Sequence, residues 1–237
     1  MENAQTLLSF GDAGWGDQLF AGLLVTLSLA LTTLPFALLL GLLIALAGRS
    51  SVRSLRISAN IFTTAFRGLP ELLTLFIIYY GGQILVQQVV GLFSDTYVEV
   101  NGFVAGVIAL TLVIGAFSSE VFAGALAAVP SGQMEAGESL GMRRPNAFRL
   151  IVFPQVFRLA LPGLSNLWLI LLKDTSLVSI IALDDLLRMS FIAVSNTKQP
   201  LFFYSVAALV YLTIAVISSF GLKWLETYGN RGQEERS

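Results

Sequence analysis

The sequence contains no cysteine and no histidine among its 237 residues, and only 12% of its residues are charged. The lack of cysteine excludes a disulfide framework, and the lack of both residue types excludes the usual soft-metal sites. It also removes the most common general base and the thiol nucleophile, so that an enzyme would need other catalytic groups. Soluble domains contain about 25% charged residues, which is far more than this chain has.

Apolar residues make up 55% of the sequence, and they are collected in long runs. A helix needs about 20 such residues to cross roughly 30 Å of hydrocarbon. Four of the runs contain no charge, and a fifth stretch, from about Leu161 to Leu183, is interrupted only by Lys173 and Asp174. None of the runs has the alternating pattern of a barrel strand. We therefore expect an all-α integral membrane protein with about five transmembrane helices. The four runs without any charge extend over residues 18–48, 72–94, 100–119 and 199–222.

Charges on either side of the runs predict the orientation, since Lys and Arg remain on the cytoplasmic side of a membrane. The first residues do not read as a signal peptide, because the charges before the first run are acidic. With the N-terminus outside, most basic residues lie inside. This predicts a periplasmic segment 1–17, a membrane domain 18–226 and a cytoplasmic tail 227–237. Residues 184–196 carry apolar side chains at helical spacing, which predicts a short interfacial helix.

The longest polar interruption extends from Pro130 to Pro162. Ser131 is placed to cap a first short helix, and Gly141 fits the left-handed residue that ends it. Pro145 suits the first turn of a second helix, and Pro154 is expected to stop that helix. A helix of about eight residues is near 12 Å long and too short to span the bilayer. The sequence therefore predicts a two-helix loop on the cytoplasmic face.

The spacing within this segment resembles the EAA loop of bacterial ABC importer permeases. Gly137 stands where the second alanine is usual. Residues 66–71 (FRGLPE) and 172–177 (LKDTSL) resemble the polar amino-acid branch of that family. The GWGD opening and the ALDDLL stretch are similar to the histidine/lysine/arginine/ornithine and opine permeases. The loop positions that carry the resemblance are Glu135, Ala136, Gly137, Gly141, Ile151 and Pro154.

The resemblance implies a type I ABC importer permease in the bacterial inner membrane. Two permease subunits, identical or paralogous, would form the path across the lipid bilayer, and a periplasmic solute-binding protein would deliver the substrate. The coupling loop, about residues 130–155, would contact a dimer of cytoplasmic ATPases through the six positions above. Those ATPases would bind ATP and magnesium, because this chain has no GxxxxGK[ST] phosphate loop. We expect no cofactor in this chain and no nucleic-acid partner.

Four polar residues are candidates for the substrate path: Arg67, Glu120, Asp174 and Ser176. A carboxylate within a span costs about 3 kcal/mol on insertion scales, so Glu120 and Asp174 suggest function by default. Asp174 lies about 18 Å beyond Pro162 along a helix, near the depth of transporter sites. Alternatives remain open. Asp174 also fits a charge-neutralising pair or a tie to another helix, and Arg67 fits a charge that reaches the cytoplasmic boundary.

The predicted substrate is a basic amino acid or an opine, with acidic or neutral polar amino acids as the alternative. Selectivity would be shared with the binding protein. A membrane enzyme finds little support without His or Cys. A channel would not need the two-helix loop, and a simple anchor would not need carboxylates within its spans.

Overall fold

The computed structural model describes residues 4–11, 14–94 and 96–230. These residues form ten α-helices, a π-helical turn within the fourth span and a 3₁₀ helix at its end. In chain order they are α1 Ala4–Leu7, α2 Gly16–Gly48, α3 Arg53–Gly68, α4 Glu71–Gly91, α5 Gly102–Ala128, α6 Gly132–Ser139, α7 Arg144–Ala147, the π-helical turn Phe148–Val152, α8 Phe153–Asp174, the 3₁₀ helix Thr175–Ile181, α9 Leu186–Thr197 and α10 Pro200–Asn230.

Five helical segments in the described part of the chain are long and apolar enough to cross a membrane, as the uncharged runs predict. The fourth begins well before residue 161, where the sequence places its start, because helix continues through Pro154 and Pro162. The five segments are Gly16–Gly48, Glu71–Gly91, Gly102–Ala128, Arg144–Ile181 and Pro200–Thr227.

α3 precedes the second span as a separate amphipathic helix that ends beside a proline. Leu69 is extended, with φ −87° and ψ 140°, and Pro70 is extended as well. The ring of a proline disfavours helical geometry in the residue before it, which explains the conformation of Leu69. Gly68 and Pro70 predict a bend here, and the structure has a complete break between α3 and α4.

The centre of the molecule is the close contact of α2 with α5. A Cβ on Gly41 would overlap Ser118, and one on Gly115 would lie 2.8 Å from the side chain of Leu40. Ser118 Oγ donates a hydrogen bond of 3.0 Å to the backbone carbonyl of Ala37 on α2. Small residues allow helices in lipid to approach closely enough for such packing. These contacts give the other helices a fixed support.

The faces that point away from this support carry large apolar side chains. Leu31 on α2 and Leu209, Ile217 and Phe220 on α10 are all more than 60% exposed. Lipid tails are as apolar as these side chains, so a bilayer solvates such faces without penalty. The exposed apolar surface is what a membrane-spanning chain requires.

α9 confirms the short helix predicted near residues 184–196. The Asp185 carboxylate accepts a hydrogen bond of 2.9 Å from the backbone N–H of Arg188 and so caps the helix. The backbone N–H of Leu186 donates to Thr26 Oγ1 at 3.2 Å. This second bond attaches the start of α9 to α2.

Candidate coupling loop and substrate path

α6 ends in a Schellman motif at Gly141. The backbone N–H of Gly141 donates to the carbonyl of Glu138 at 2.9 Å, and that of Met142 donates to the carbonyl of Gly137 at 3.1 Å. These bonds satisfy carbonyls that a helix end leaves free. Gly141 has φ +81°, and a Cβ there would meet no atom within 4 Å. Backbone conformation, and not lack of space, therefore favours glycine, and the predicted left-handed residue is confirmed.

Ser131 does not cap α6 with its side chain, so this prediction is wrong. The residue stands at the N-cap position, but its φ of −58° and ψ of −32° are helical and its hydroxyl makes no capping bond. A capping side chain needs extended backbone at the N-cap to reach the free N–H groups. The backbone carbonyl of Ser131 instead accepts from the N–H groups of Met134 and Glu135.

The second half of the loop is the start of a continuous helical segment and not a separate short helix. Pro145 lies in the first turn of α7, as predicted. Pro154 lies in the first turn of α8 and does not end the helix, which corrects the prediction. A regular helix would bring the proline ring against the carbonyl one turn earlier. The preceding π-helical turn, in which the N–H of Phe153 donates to the carbonyl of Phe148, widens the backbone at this point.

The two halves of the loop touch at Gly137. A Cβ on Gly137 would lie 2.8 Å from the Cβ of Ala147 and 2.9 Å from Cδ1 of Ile151. Gln155 Nε2 also donates to Gln133 Oε1 at 3.1 Å, which joins the start of α6 to α8. Gly137 and Ile151 therefore hold the halves together. The alanine that is usual at this position would have to push them apart.

Opposite this contact, the loop offers a polar surface. Glu135 and Ala136 are exposed on α6, and Pro154 is exposed on α8. Glu138 and Arg144 form an ion pair of 3.7 Å at the turn between the two halves. A groove of about 720 Å³ separates the loop from the nearest ends of α2 and α5. Its lining includes both signs of charge, with Arg49, Glu135, Glu138 and Arg144.

Asp174 is the last residue of α8, where the helix narrows into the 3₁₀ helix. It is half-buried, whereas Lys173 is exposed, so the two side chains lie on different sides as predicted. Asp174 Oδ2 is buried and has no hydrogen-bond partner among the described residues. Ser176 Oγ donates to the backbone carbonyl of Lys173 at 2.7 Å, so this hydroxyl is engaged within its own turn. The Ser176 hydroxyl is therefore satisfied within its own turn, whereas the Asp174 carboxylate keeps one oxygen without a partner among the described residues.

Arg67 and Glu120 are brought together by the fold. Arg67 Nη1 lies 3.2 Å from Glu120 Oε1, and the guanidinium carbon lies 5.8 Å from the ring centroid of Phe117. The sequence offered both residues as single candidates and did not pair them. The pair joins α3 to α5 and is separate from the end of α8.

Two further acidic residues were not among the site residues predicted from the sequence. Glu71, the first residue of α4, is one of the two charged groups that act most strongly on the Asp174 carboxylate, and Lys173 is the other. Asp185 is fully buried at the start of α9, and burial raises the pKa of its carboxyl to about 6 against the opposing backbone hydrogen bonds. Glu71 could have been selected from the sequence, because it stands at the start of an apolar run and within residues 66–71, which resemble the polar amino-acid branch.

Comparisons with known proteins agree with this architecture. The chain is 41% identical over 229 residues to the nopaline transport system permease protein of Agrobacterium fabrum, covering 96% of this chain and 97% of that protein. It is 41% identical over 208 residues to the arginine ABC transporter permease protein of Haemophilus influenzae, covering 88% and 91%. It is 37% identical over 216 residues to the histidine/lysine/arginine/ornithine transport system permease protein of Escherichia coli, covering 90% and 93%.

Solved structures of ABC transporters resemble the chain as well. The crystal structure of an amino acid ABC transporter with histidines matches with a TM-score of 0.76 and 31% identity, covering 90% of this chain and 95% of that chain. An inward-facing MetNI methionine ABC transporter matches with a TM-score of 0.72 at 15% identity, which shows the common fold. The family of binding-protein-dependent transport system inner membrane components matches residues 37–227. With most of its length matched, and with relatives of this similarity, the chain belongs to that family of inner membrane transport components, which are permease subunits and not catalytic.

Proposed function

We propose that this chain is one of two permease subunits of an ATP-driven importer for basic amino acids or opines. The observation that carries the substrate class is the set of relatives at 37–41% identity. Their names specify nopaline, arginine, octopine, and histidine, lysine, arginine and ornithine. The likeness extends over nearly the whole chain, so it includes every span and both candidate sites.

Asp174 supports this substrate class on physical grounds. A carboxylate oxygen that is buried without a partner needs an opposite charge or several donors to remain ionised. An arriving ammonium or guanidinium group would supply that partner, and a guanidinium could bind both oxygens. An interaction that forms only in the loaded path can shift the outward–inward equilibrium of the protein.

The orientation and the coupling belong to the same proposal. The N-terminus lies in the periplasm and the C-terminus in the cytoplasm, because this places Arg49, Arg53 and Arg56 inside, together with the arginines at the start of α7. The exposed surface of α6 around Glu135 and Ala136 then fits a groove of a partner ATPase, which holds the ATP and magnesium. A solute-binding protein delivers substrate at the opposite face, and a second permease subunit completes the path.

Uptake by the assembled transporter tests the substrate class. The chain is reconstituted in proteoliposomes with the ATPase, second permease and binding protein of its own system, and labelled arginine, glutamine and glutamate are compared. We expect arginine to be imported best and Asp174→Asn to lower arginine uptake while basal ATP hydrolysis survives. Asp17→Asn, at an exposed aspartate in the first turn of α2, is the matched control. Better import of glutamate or glutamine, or unchanged arginine uptake by Asp174→Asn, would contradict the proposal.

A further inference from the structure

The ion pair between Arg67 and Glu120 stands at a point where the chain changes direction. Arg67 is the residue before Gly68, the last of α3, and the extended residues Leu69 and Pro70 follow. Glu120 lies 18 residues after the first residue of α5 and 8 residues before its last. The pair therefore joins the end of one helix to the interior of a span.

A second contact between α3 and α5 lies one helical turn earlier in α3. Thr63 Oγ1 and Ser119 Oγ lie 3.3 Å apart and share a buried hydrogen bond. The two contacts fix the last turn of α3 on α5, beside the break that separates α3 from α4. The helical hydrogen bonds on either side, from the N–H of Leu69 to the carbonyl of Ala65 and from the N–H of Thr74 to the carbonyl of Pro70, do not run from α3 into α4. The two side-chain contacts therefore help to set the angle between α3 and α4, together with the packing of α4 on α5.

The environment of the pair allows it to open. Arg67 keeps 44% of its side chain exposed and Glu120 keeps 52%, so neither charge is fully desolvated. Separation would therefore not leave a buried unpaired charge, which is the strongly unfavourable case. In the proposed complex the exposed sides of the pair would face the polar path or the second permease subunit, because a charge that faces lipid tails is costly.

We propose that the Arg67–Glu120 pair is a latch that holds the joint between α3 and α4 on α5, and that it opens each time the path changes the side to which it is accessible. The latch rests on the proposed function in one respect only, namely that ATP hydrolysis drives a conformational cycle. It does not depend on the identity of the transported amino acid. A ligand-driven or ATP-driven change needs an element with two arrangements, and the proposal assigns that part to this joint.

Neutral variants test the latch in the reconstituted complex. We expect Arg67→Gln and Glu120→Gln each to raise ATP hydrolysis without substrate by about threefold or more, because the arrangement in which the ion pair is formed loses a stabilising contact. Uptake per ATP should fall in both. The exchanged double variant Arg67→Glu/Glu120→Arg should return hydrolysis toward the parental rate, because it restores the ion pair with reversed charges. A merely structural pair would not raise hydrolysis without substrate in the single variants. Arg53→Gln, at the exposed other end of α3, is the matched control.

A reversible cross-link tests whether the joint moves. The chain has no cysteine, so Thr63→Cys/Ser119→Cys introduces one possible disulfide, at a contact whose oxygens are already adjacent. We expect oxidation to stop uptake and reduction to restore it, with both single-cysteine variants active throughout. Mass spectrometry measures the cross-linked fraction.

Three results would overturn the latch: parental rates of hydrolysis in both neutral variants, no recovery in the exchanged variant, or full uptake by cross-linked protein. Failure of the cysteines to cross-link would contradict the contact itself. Failure of the parental complex to import any basic amino acid would refute the proposed substrate class instead. In that case hydrolysis and cross-linking still decide on the latch.

Discussion

Substitution of Gly141 tests the backbone conformation of the proposed coupling loop separately from the chemistry of its side chains. A Cβ at this position would meet no atom within 4 Å, so an added side chain perturbs only the backbone. The backbone φ is +81°, in the left-handed region. The N–H of Gly141 also donates a hydrogen bond of 2.9 Å to Glu138, which proline would remove. Alanine, asparagine and proline at 141 therefore form a graded series.

The expected magnitudes follow from these two features. A left-handed conformation costs an L-residue about 1–2 kcal/mol, so Gly141→Ala should lower the population of the native loop end by about 5- to 30-fold. Gly141→Asn should be milder, because asparagine adopts this conformation more readily. Gly141→Pro has the wrong φ and lacks the donor, and a loss of about 3 kcal/mol or more is expected.

The assay is ATP hydrolysis stimulated by loaded binding protein, measured together with uptake in proteoliposomes. The order of coupling should be glycine, asparagine, alanine and proline, with equal amounts of each variant in the membrane. Gly132→Ala is the control, since Gly132 lies in the same loop, has no positive φ and also has open space at its Cβ. Parental stimulation in Gly141→Pro would refute the reasoning. An equal effect of alanine and asparagine would show that conformation is not the cause.

Three other predictions concern packing, pH and topology. Gly41→Val should force α2 away from Ser118 and lower the free energy of unfolding by about 1–3 kcal/mol, which is measured as a lower melting temperature in detergent. Gly221→Val, where a Cβ has open space, should leave the melting temperature unchanged. The raised pKa of Asp185 means that its ionised form opposes folding at pH 7; protonation between about pH 6 and pH 4 should restore up to about 3 kcal/mol, so the parent should gain stability relative to Asp185→Asn as the pH falls from 7 to 5. A melting-temperature difference that is the same at both pH values would contradict this. Leu140→Cys should react with an impermeant maleimide only from the cytoplasmic side, and labelling from outside would reverse the proposed orientation.

The spans could be predicted because the bilayer limits what an uncharged run can do. A run of this length must be a helix whose backbone groups are satisfied internally, and the bilayer thickness sets its minimum length. Gly141 and Pro145 were predictable for a similar reason, since each has a backbone preference that few positions satisfy. Pro154 was not, because the π-helical turn before it is a property of the packed helix and not of any single residue.

Long-range contacts lie beyond the reach of these patterns. Arg67 and Glu120 are 53 positions apart, and Thr63 and Ser119 are 56 apart. Hydrophobic periodicity indicates which face of a helix is polar, but it does not indicate which other helix that face meets. α3 itself escaped prediction because its arginines give it the appearance of a polar connection between spans.

The charges near Asp174 favour a substrate with a cationic side chain. Arg67 and Glu120 neutralise each other, so the group around Asp174 has to balance its own charges. Glu71 is a second carboxylate that acts on Asp174, whereas Lys173 is exposed and lies on a different side of the helix. A basic amino acid brings two cationic groups and one carboxylate. A neutral amino acid would leave one carboxylate uncompensated in a region of low dielectric constant, and an acidic one would add a further negative charge. A guanidinium or ammonium side chain, which basic amino acids and arginine-derived opines share, would thus complement Asp174.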